Sequence, residues 1–327
     1  MRISTSVLAA ALLLTGCSAK PKTVRIGVGG AEQIVYLATT LTAQLGNYEA
    51  EGVHVELENF AGGSKSLQAL LGGSVDAVSG FYDHTLQMAG DGKQLRAFAV
   101  MLRYPGLVLV AAPGKEDRFR RIEDLKGAAI GVTAPGSSTH LFLNYLLSTH
   151  GTKADEVSVT GIGGSATAVA AVDRASVDAA VMTDPALLQV QLRHPSLRIL
   201  ADSRTAEGVA AIYGAPVYPA SVLYSKAEWV EAHADESKRL ARAIRRTLEW
   251  IAAHSAREIA LKMPPSYQGP DLELYIKAIE NSKAMFSADG RMPTDAPETV
   301  RKALAVSLPQ VAALKDVSGT FTNSAFE

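Results

Sequence analysis

The short segment Pro135-Gly-Ser-Ser-Thr-His140 carries the residues best suited to holding a small ligand. It follows an apolar run over residues 128–132, long enough for one buried strand, and it leads into an apolar stretch that favours a helix. Free backbone N–H groups at a helix start, together with the helix dipole, attract an anion. Ser137, Ser138 and Thr139 are therefore candidate ligand-binding residues, although the same residues could serve only to cap the helix.

A second pattern occurs twice, roughly a hundred residues apart, which is too long a period for a solenoid. Gly62-Gly63-Ser64 matches Gly163-Gly164-Ser165, and Ser74-Val-Asp-Ala77 matches Ser176-Val-Asp-Ala179. In each copy, Gly-Gly-Ser is predicted to open a helix and Val-Asp-Ala to lead into a short buried strand. The repeat indicates two similar α/β lobes.

Other elements follow from alternation and from helical spacing of apolar residues. The Gly- and Pro-rich run over residues 208–219 shows no period and is predicted to be a connection. Strands are predicted over residues 24–28, 53–57, 96–102, 107–112, 128–132, 198–200 and 221–225, and helices over residues 34–45 and 235–254 and from residue 294 onward.

Composition is that of a soluble globular protein. The chain has 327 residues, which suits two lobes better than one compact core, and 47% of them are hydrophobic. A formal net charge of −1 gives no reason to expect nucleic acid as a partner. The sequence shows neither a spaced His/Glu metal set nor a GxSxG nucleophile elbow, so we expect no cofactor and no catalysis.

The N-terminus has the form of an export signal. Met1-Arg2 supplies a positive charge, and the apolar run over residues 7–14 is too short to span a bilayer. Leu14-Thr-Gly-Cys17 resembles the lipobox of bacterial lipoproteins, in which the cysteine is lipidated and becomes the first mature residue. This resemblance implies a signal peptide over residues 1–16, a lipidated tether over residues 17–22, and a membrane anchor at Cys17.

The order and spacing of these motifs resemble one family, the nitrate/sulfonate/taurine-type substrate-binding proteins of ABC importers. This group includes SsuA, TauA and the binders of thiamine-pyrimidine precursors. Besides the repeated segments, Asp124-Leu-Lys-Gly127, Ile130-Gly-Val132 and Pro135-Gly-Ser-Ser138 with His140 carry the resemblance. It covers the chain from Thr23 to about Pro309.

The resemblance implies an α/β, two-lobed periplasmic-binding-protein fold (type II). Each lobe would be a mixed sheet flanked by helices, and two crossing strands would join the lobes. Crossings near residues 104–112 and 213–225 would place residues 23–106 and 214–327 in one lobe and residues 107–213 in the other.

If the two lobes face each other, helix starts and strand ends from both converge on a cleft. Asp83 or Asp184 could bind an amine on the ligand, whereas Asp184, before Pro185, could equally cap the next helix. Hydroxyl, amide and aromatic side chains beside the loops complete the set of candidate ligand-binding residues, which is Gln33, Gly63, Ser64, Tyr82, Asp83, Tyr104, Ser137, Ser138, Thr139, Asp184 and Tyr213.

The implied function is capture of a small organic anion or zwitterion and its delivery to an ABC permease by an exported, lipid-anchored monomer. A ligand larger than nitrate is favoured because several aromatic side chains could line the cleft. Two alternatives stay open. One is a receptor lipoprotein that senses its ligand, and the other is an enzyme on the same fold, such as a thiamine-pyrimidine synthase. Such synthases carry a cysteine-rich motif, and this chain has no cysteine after Cys17.

Overall fold

The computed structural model describes residues 23–327, so the predicted signal peptide, Cys17 and the tether over residues 17–22 lie outside the described residues. Two five-stranded sheets form the centres of two lobes. We refer to residues 23–106 and 214–327 as lobe 1 and to residues 107–213 as lobe 2, the division that the sequence predicts.

The two sheets have the same design. Their strands within the described residues are β1 (Val24–Val28), β2 (Val55–Asn59), β3 (Ala77–Phe81), β4 (Leu95–Val100), β5 (Val108–Ala111), β6 (Ala129–Val132), β7 (Ser158–Gly161), β8 (Ala179–Met182), β9 (Ile199–Asp202) and β10 (Ser221–Lys226). The strand order is β2-β1-β3-β10-β4 in lobe 1 and β7-β6-β8-β5-β9 in lobe 2. Three neighbouring strands of each sheet are parallel, and the fourth in order is antiparallel to both of its neighbours.

The antiparallel strand of each sheet is the one that the chain enters after passing between the lobes. Residues 101–107 lead from β4 to β5, and residues 214–220 lead toward β10 from the last helix of lobe 2. The predicted fold class, two mixed sheets joined by two crossings, is confirmed.

Helices flank both sheets. They are α1 (Leu37–Gln44), α2 (Asn47–Ala50), α3 (Gly63–Gly72), α4 (Asp83–Gly90), α5 (Ser138–Thr149), α6 (Ala166–Asp173), α7 (Ala186–Arg193), α8 (Ala206–Tyr213), α9 (Ala227–Ala232), α10 (Ala234–Ala253), α11 (Ala256–Lys262), α12 (Pro265–Gln268), α13 (Leu272–Ser282), α14 (Ala296–Ala305) and α15 (Pro309–Ala312). Single 3₁₀ turns lie at Ile34–Tyr36, Ile122–Leu125, Ala154–Glu156, Lys283–Met285 and Ser318–Thr320. Within residues 23–327 no helix combines the length and the apolar character that crossing a membrane requires.

One segment corrects the sequence prediction. Residues 208–219 were predicted to be a connection, but their first part belongs to α8. Thr205 caps this helix by accepting a hydrogen bond from Gly208 N at 3.1 Å, and Gly214, with φ 67°, ends it. Val209 is the one residue of α8 that is buried. The sequence of α8 therefore lacks the helical spacing of apolar residues by which a half-buried helix can be predicted.

Strand ends and helix starts from both lobes meet at the seam between the sheets. In lobe 1, β3 leads directly into α4, and in lobe 2, β6 leads through a short loop into α5. Helix α3 begins immediately after a glycine loop that follows β2. These loops supply the residues of the site described next.

Candidate functional site

Hydrogen bonds join the loops of lobe 1 directly to those of lobe 2, and four of them involve Gln33, Ile34 and Ser64 of lobe 1. Ser64 N donates to Ser137 Oγ at 2.9 Å, and Ser137 Oγ lies 3.2 Å from Ser64 Oγ. Thr183 Oγ1 donates to Gln33 Oε1 at 2.8 Å, and Ile34 N donates to the carbonyl of Asp184 at 3.0 Å. The lobes are therefore closed on each other in this structure.

The repeated Gly-Gly-Ser segments allow this close approach. A Cβ at Gly164 would lie 2.6 Å from Nε2 of Gln33, which belongs to the opposite lobe. A Cβ at Gly62 would lie 3.1 Å from the Cβ of Ala134, again across the seam. A larger residue at Gly164 would require Gln33 to move or the lobes to separate, and one at Gly62 would press on Ala134.

The seam encloses a small cavity that we call the polar cavity. Its volume is about 10 Å³, room for about one water molecule. The residues that line it are Gly29, Gln33, Val35, Tyr36, Gly63, Phe81, Leu107, Thr133, Ser137, Ser138, Thr139 and Thr183. The backbone N–H groups of Gly63, Ser138 and Thr139, at the starts of α3 and α5, donate to no atom of residues 23–327. This end of the site can donate hydrogen bonds to a carboxylate or a similar acidic group.

A second cavity adjoins the first, and we call it the aromatic cavity. It also measures about 10 Å³ and is lined by Phe81, Asp83, Pro105, Leu107, Ser138, Leu141, Phe142, Tyr145, Tyr213, Tyr218, Ala303 and Leu304. The ring of Tyr213 stacks on that of Tyr218, with centroids 4.3 Å apart, and lies 5.0 Å from that of Tyr145. Phe81, Leu107 and Ser138 line both cavities, so the two are neighbouring parts of one cleft.

Asp83 gives the aromatic cavity a buried carboxyl group. Its side chain is only 3% exposed, and Ser138 Oγ donates to Asp83 Oδ1 at 2.8 Å across the lobes. Burial raises the pKa of Asp83 above its ordinary value of 3.8, while His84 and the bond from Ser138 act to lower it. Neither cavity is lined by Lys or Arg. A buried carboxyl group without a cation beside it is ionised more readily when a ligand brings a positive charge, so this group favours such a ligand.

The hydroxyls of Tyr213 and Tyr218 are neutral groups in the same cavity. Burial raises the pKa of each well above 10.0, and the nearby charge of Asp83 raises both further. Neutral phenols can donate hydrogen bonds to a ligand and can present flat apolar faces to it.

His84 lies at the seam beside Asp83. It is fully buried, its Nδ1 lies 3.3 Å from the hydroxyl of Tyr224, and its Nε2 has no partner within the described residues. Burial lowers the pKa of His84 below 6.5, so the imidazole is neutral at pH 7.

Asp184 is already paired inside lobe 2. Its Oδ2 lies 3.2 Å from Arg204 Nη1, and its Oδ1 accepts from Leu188 N at 3.1 Å near the start of α7. Of the two aspartates considered from the sequence, Asp83 is therefore the one without a cation partner, whereas Asp184 supports α7.

Tyr82 and Tyr104 lie away from both cavities. The hydroxyl of Tyr82 bonds with Thr320 Oγ1 in lobe 1. Tyr104 packs under the guanidinium of Arg103, whose Cζ is 5.0 Å from the ring centroid. By contrast, the structure brings these predicted residues together at the cleft: Gln33, Gly63, Ser64, Asp83, Ser137, Ser138, Thr139 and Tyr213.

Four aromatic residues of the site were missed from the sequence, namely Tyr36, Phe142, Tyr145 and Tyr218. Phe142 and Tyr145 are three residues apart on α5, a spacing that places them on one helix face directly behind the Ser-Ser-Thr start. That spacing is a usable signal. Tyr218 lies in a crossing segment without periodicity and carries no such signal.

Among residues 23–327, no group of three or more His, Cys, Asp or Glu side chains is placed to hold a metal ion.

The family model described as NMT1/THI5 like matches residues 34–258. A protein of solved structure from Bordetella bronchiseptica RB50 is 38% identical, with a TM-score of 0.89 over 93% of this chain and 95% of that one. No match was found among curated proteins.

Two further solved structures share the fold at lower identity. The alkanesulfonate-binding protein SsuA from Xanthomonas axonopodis pv. citri, bound to MOPS, is 19% identical, with a TM-score of 0.68 over 91% of this chain and 96% of that one. The periplasmic nitrate-binding protein NrtA from Synechocystis PCC 6803 is 14% identical, with a TM-score of 0.71 over 94% and 88%. At these identities the likeness concerns the fold.

Proposed function

This chain belongs to the NMT1/THI5-like family, and we propose that it captures a small zwitterionic solute between its lobes and delivers it to an ABC-type permease. SsuA and NrtA, which share its fold, are named as binding proteins for alkanesulfonate and nitrate. A further neighbour from Staphylococcus aureus is described as the ligand-binding component of an ABC-type import system. These neighbours support capture for import, by binding without chemical change, as the general role.

The observation that carries the choice of a zwitterion is the position of Ser138. Its backbone N–H, with those of Gly63 and Thr139, is unpaired beside the polar cavity, and its Oγ bonds to the carboxylate of Asp83 in the aromatic cavity. The cleft therefore offers donors for an acidic group at one end and a carboxylate for an ammonium group at the other. The stacked rings of Tyr213 and Tyr218 suit an apolar part near the ammonium end.

An anion without a positive group fits this cleft less well. Neither cavity is lined by Lys or Arg, and the charge of Asp83 would repel a second negative group placed near it. Of the organic anion and the zwitterion that the sequence allowed, the zwitterion is the better match.

Binding also requires the lobes to separate. The two cavities hold about 10 Å³ each, whereas pockets for small molecules commonly measure about 300–1,000 Å³. The crossings at residues 101–107 and 214–220 are the two connections about which the lobes can hinge. Closure over the solute then replaces part of the direct contact between the lobes by contact with the solute.

A thermal-shift screen tests this function. We would use three matched sets of compounds, each containing a zwitterion, the same molecule without its amine, and the same molecule without its acidic group. A solute at about a hundred times its Kd stabilises the native state by about 2.7 kcal/mol, which raises Tm by several degrees. The expected result is a rise in Tm with at least one zwitterion and a smaller rise with its amine-free and acid-free analogues. Rises produced only by amine-free anions would contradict the proposal.

We also propose that the mature protein is anchored to the membrane through lipid on Cys17. The support is the Leu14-Thr-Gly-Cys17 motif after a short apolar run. Labelling of growing cells with radioactive palmitate should mark the wild-type protein and leave Cys17→Ser unmarked. Equal labelling of both would remove the anchor from the account.

A further inference from the structure

A groove of about 570 Å³ runs across the boundary between the lobes, outside the polar cavity and the aromatic cavity. One wall comes from α6 and α7 of lobe 2, and the other from residues 265–270 of lobe 1. None of its lining residues lines the polar cavity or the aromatic cavity. We propose that this groove is a second binding site, which takes a small amphipathic anion with an apolar body and one acidic group.

The walls of the groove suit an apolar body. Val169, Ala170 and Pro185 form one side, and Tyr267 with Pro270 forms the other. A volume of 570 Å³ falls within the range of about 300–1,000 Å³ that small-molecule sites occupy. Such sites combine a mostly apolar lining with a few polar groups, and this groove has both.

The charges in the groove favour an acidic group on the ligand. On the lobe 2 wall Asp173 bonds with Arg193 and with His194. On the lobe 1 side Glu32 accepts from the neutral Asn59 Nδ2 at 3.1 Å and keeps its charge. Among the charged side chains of the lobe 2 wall, Arg174 is the one with no partner among the described residues.

Two helix starts add to this positive potential. Ser165 and Ala166 at the start of α6, and Ala186 at the start of α7, line the groove, and their N–H groups donate to no described atom. Together with the free guanidinium of Arg174 they make the lobe 2 wall attractive to an anion, while the carboxylate of Glu32 favours a ligand that keeps its acidic group away from the lobe 1 side.

The groove also adjoins the bonds that hold the lobes closed. Glu32 precedes Gln33, which bonds to Thr183, and Pro185 follows Asp184, whose carbonyl accepts from Ile34 N. Because the walls come from both lobes, a molecule in the groove binds the closed form better than the open form. By linkage it then favours closure and tightens solute binding in the cleft. The solute in turn tightens binding in the groove by the same factor. This coupling, unlike the site itself, rests on the proposed function.

Fluorescence titration with 8-anilinonaphthalene-1-sulfonate, an aromatic anion, tests the site on the purified protein. Ala170→Trp fills the groove with an indole ring and should weaken probe binding by about tenfold or more. Arg174→Gln removes the free charge and should weaken it by about threefold, the effect of losing an exposed ion pair. The matched controls are Ala252→Trp and Lys238→Gln, which add the same ring and remove one positive charge outside the groove, and both should bind the probe as the wild type does.

Hydrogen exchange with the same probe supplies the second measurement. We expect protection of residues 165–174 and of residues 265–270 together, because the probe touches both walls. Unchanged probe affinity in both groove variants, or protection confined to the cleft residues, would overturn the proposal. The probe does not depend on the identity of the transported solute, so this result stands whether or not the cleft binds a zwitterion.

Discussion

Ser138 Oγ of lobe 2 donates to Asp83 Oδ1 of lobe 1 at 2.8 Å, and the two residues are 6% and 3% exposed. This single bond crosses the cleft at the point where the polar cavity and the aromatic cavity meet. Closure of the lobes therefore brings a helix start with free N–H groups next to a buried carboxylate.

Removing the hydroxyl of Ser138 should weaken both closure and solute binding. Ser138→Ala deletes the hydrogen bond to Asp83, and a bond to a charged group contributes about 1.5–3 kcal/mol. We expect the affinity for the solute found in the screen to fall by about tenfold, measured by titration calorimetry. Ser148→Ala, at the far end of the same helix, is the control and should bind as the wild type does. Unchanged affinity in Ser138→Ala would show that this bond does not contribute to the site.

Gly164→Ala should hold the lobes apart while leaving each lobe folded. The added methyl group would lie 2.6 Å from Gln33 Nε2 in the opposite lobe, so the clash exists only in the closed form. Small-angle X-ray scattering should show a larger radius of gyration than in the wild type, with circular dichroism unchanged.

Gly72→Ala is the matched control for that experiment. Gly72 is the last residue of α3, and a Cβ there meets nothing within 4 Å, so helix stability should rise by up to about 1 kcal/mol without any change in lobe separation. Identical scattering from Gly164→Ala and the wild type would mean that Gln33 moves aside at little cost.

Arg204→Gln should lower the free energy of unfolding by about 3 kcal/mol, because it leaves the buried carboxylate of Asp184 without its cation. Arg121→Gln, which disturbs an ion pair of a 73% exposed side chain, should change it by less than about 0.5 kcal/mol. Urea unfolding measures both. Equal effects would mean that water reaches Asp184 in the native state.

The neutral form of His84 makes stability depend on pH. Burial lowers its pKa below 6.5, so the native state binds fewer protons than the unfolded chain between that lowered pKa and pH 6.5. The stabilisation is complete above pH 6.5 and is lost as the pH falls through this window, and His140, whose pKa burial also lowers, acts in the same direction. Asp83 has the opposite effect on stability. Because its pKa is raised, its contribution makes the native state less stable as the pH rises above 3.8. Urea unfolding between about pH 5 and 8 should therefore show a fall on acidification that is smaller in His84→Gln. A fall of the same size in His84→Gln would assign the dependence to other groups.

Much of the fold could be predicted because its elements leave clear periods in the sequence. The strand Val24–Val28 was predicted with its observed bounds, and α10 within one residue at each end. The repeated Gly-Gly-Ser and Val-Asp-Ala segments located equivalent corners of two sheets that have the same strand order. α8 and β7 were missed because they bury few of their side chains, and an exposed element has no apolar pattern.

The site could be predicted only in part, because a sequence shows neither partners nor directions of side chains. Glycine and hydroxyl residues at helix starts were found, since their role depends on local backbone. Whether an aspartate is free to bind a ligand depends on its neighbours in space. Arg204, which forms an ion pair with Asp184, is twenty residues away in the sequence, so this pairing could not be predicted. Tyr82 and Tyr213 look alike as loop-side tyrosines, yet only Tyr213 reaches the cleft.

The most direct test of the account is calorimetric binding of two matched solutes to two proteins. The solutes are the zwitterion identified by the screen and its analogue without the amine, and the proteins are the wild type and Asp83→Asn. We predict that the wild type prefers the zwitterion by about tenfold or more and that Asp83→Asn loses this preference, because the ammonium group then has no carboxylate to pair with. An undiminished preference in Asp83→Asn would contradict the claim that Asp83 selects the solute.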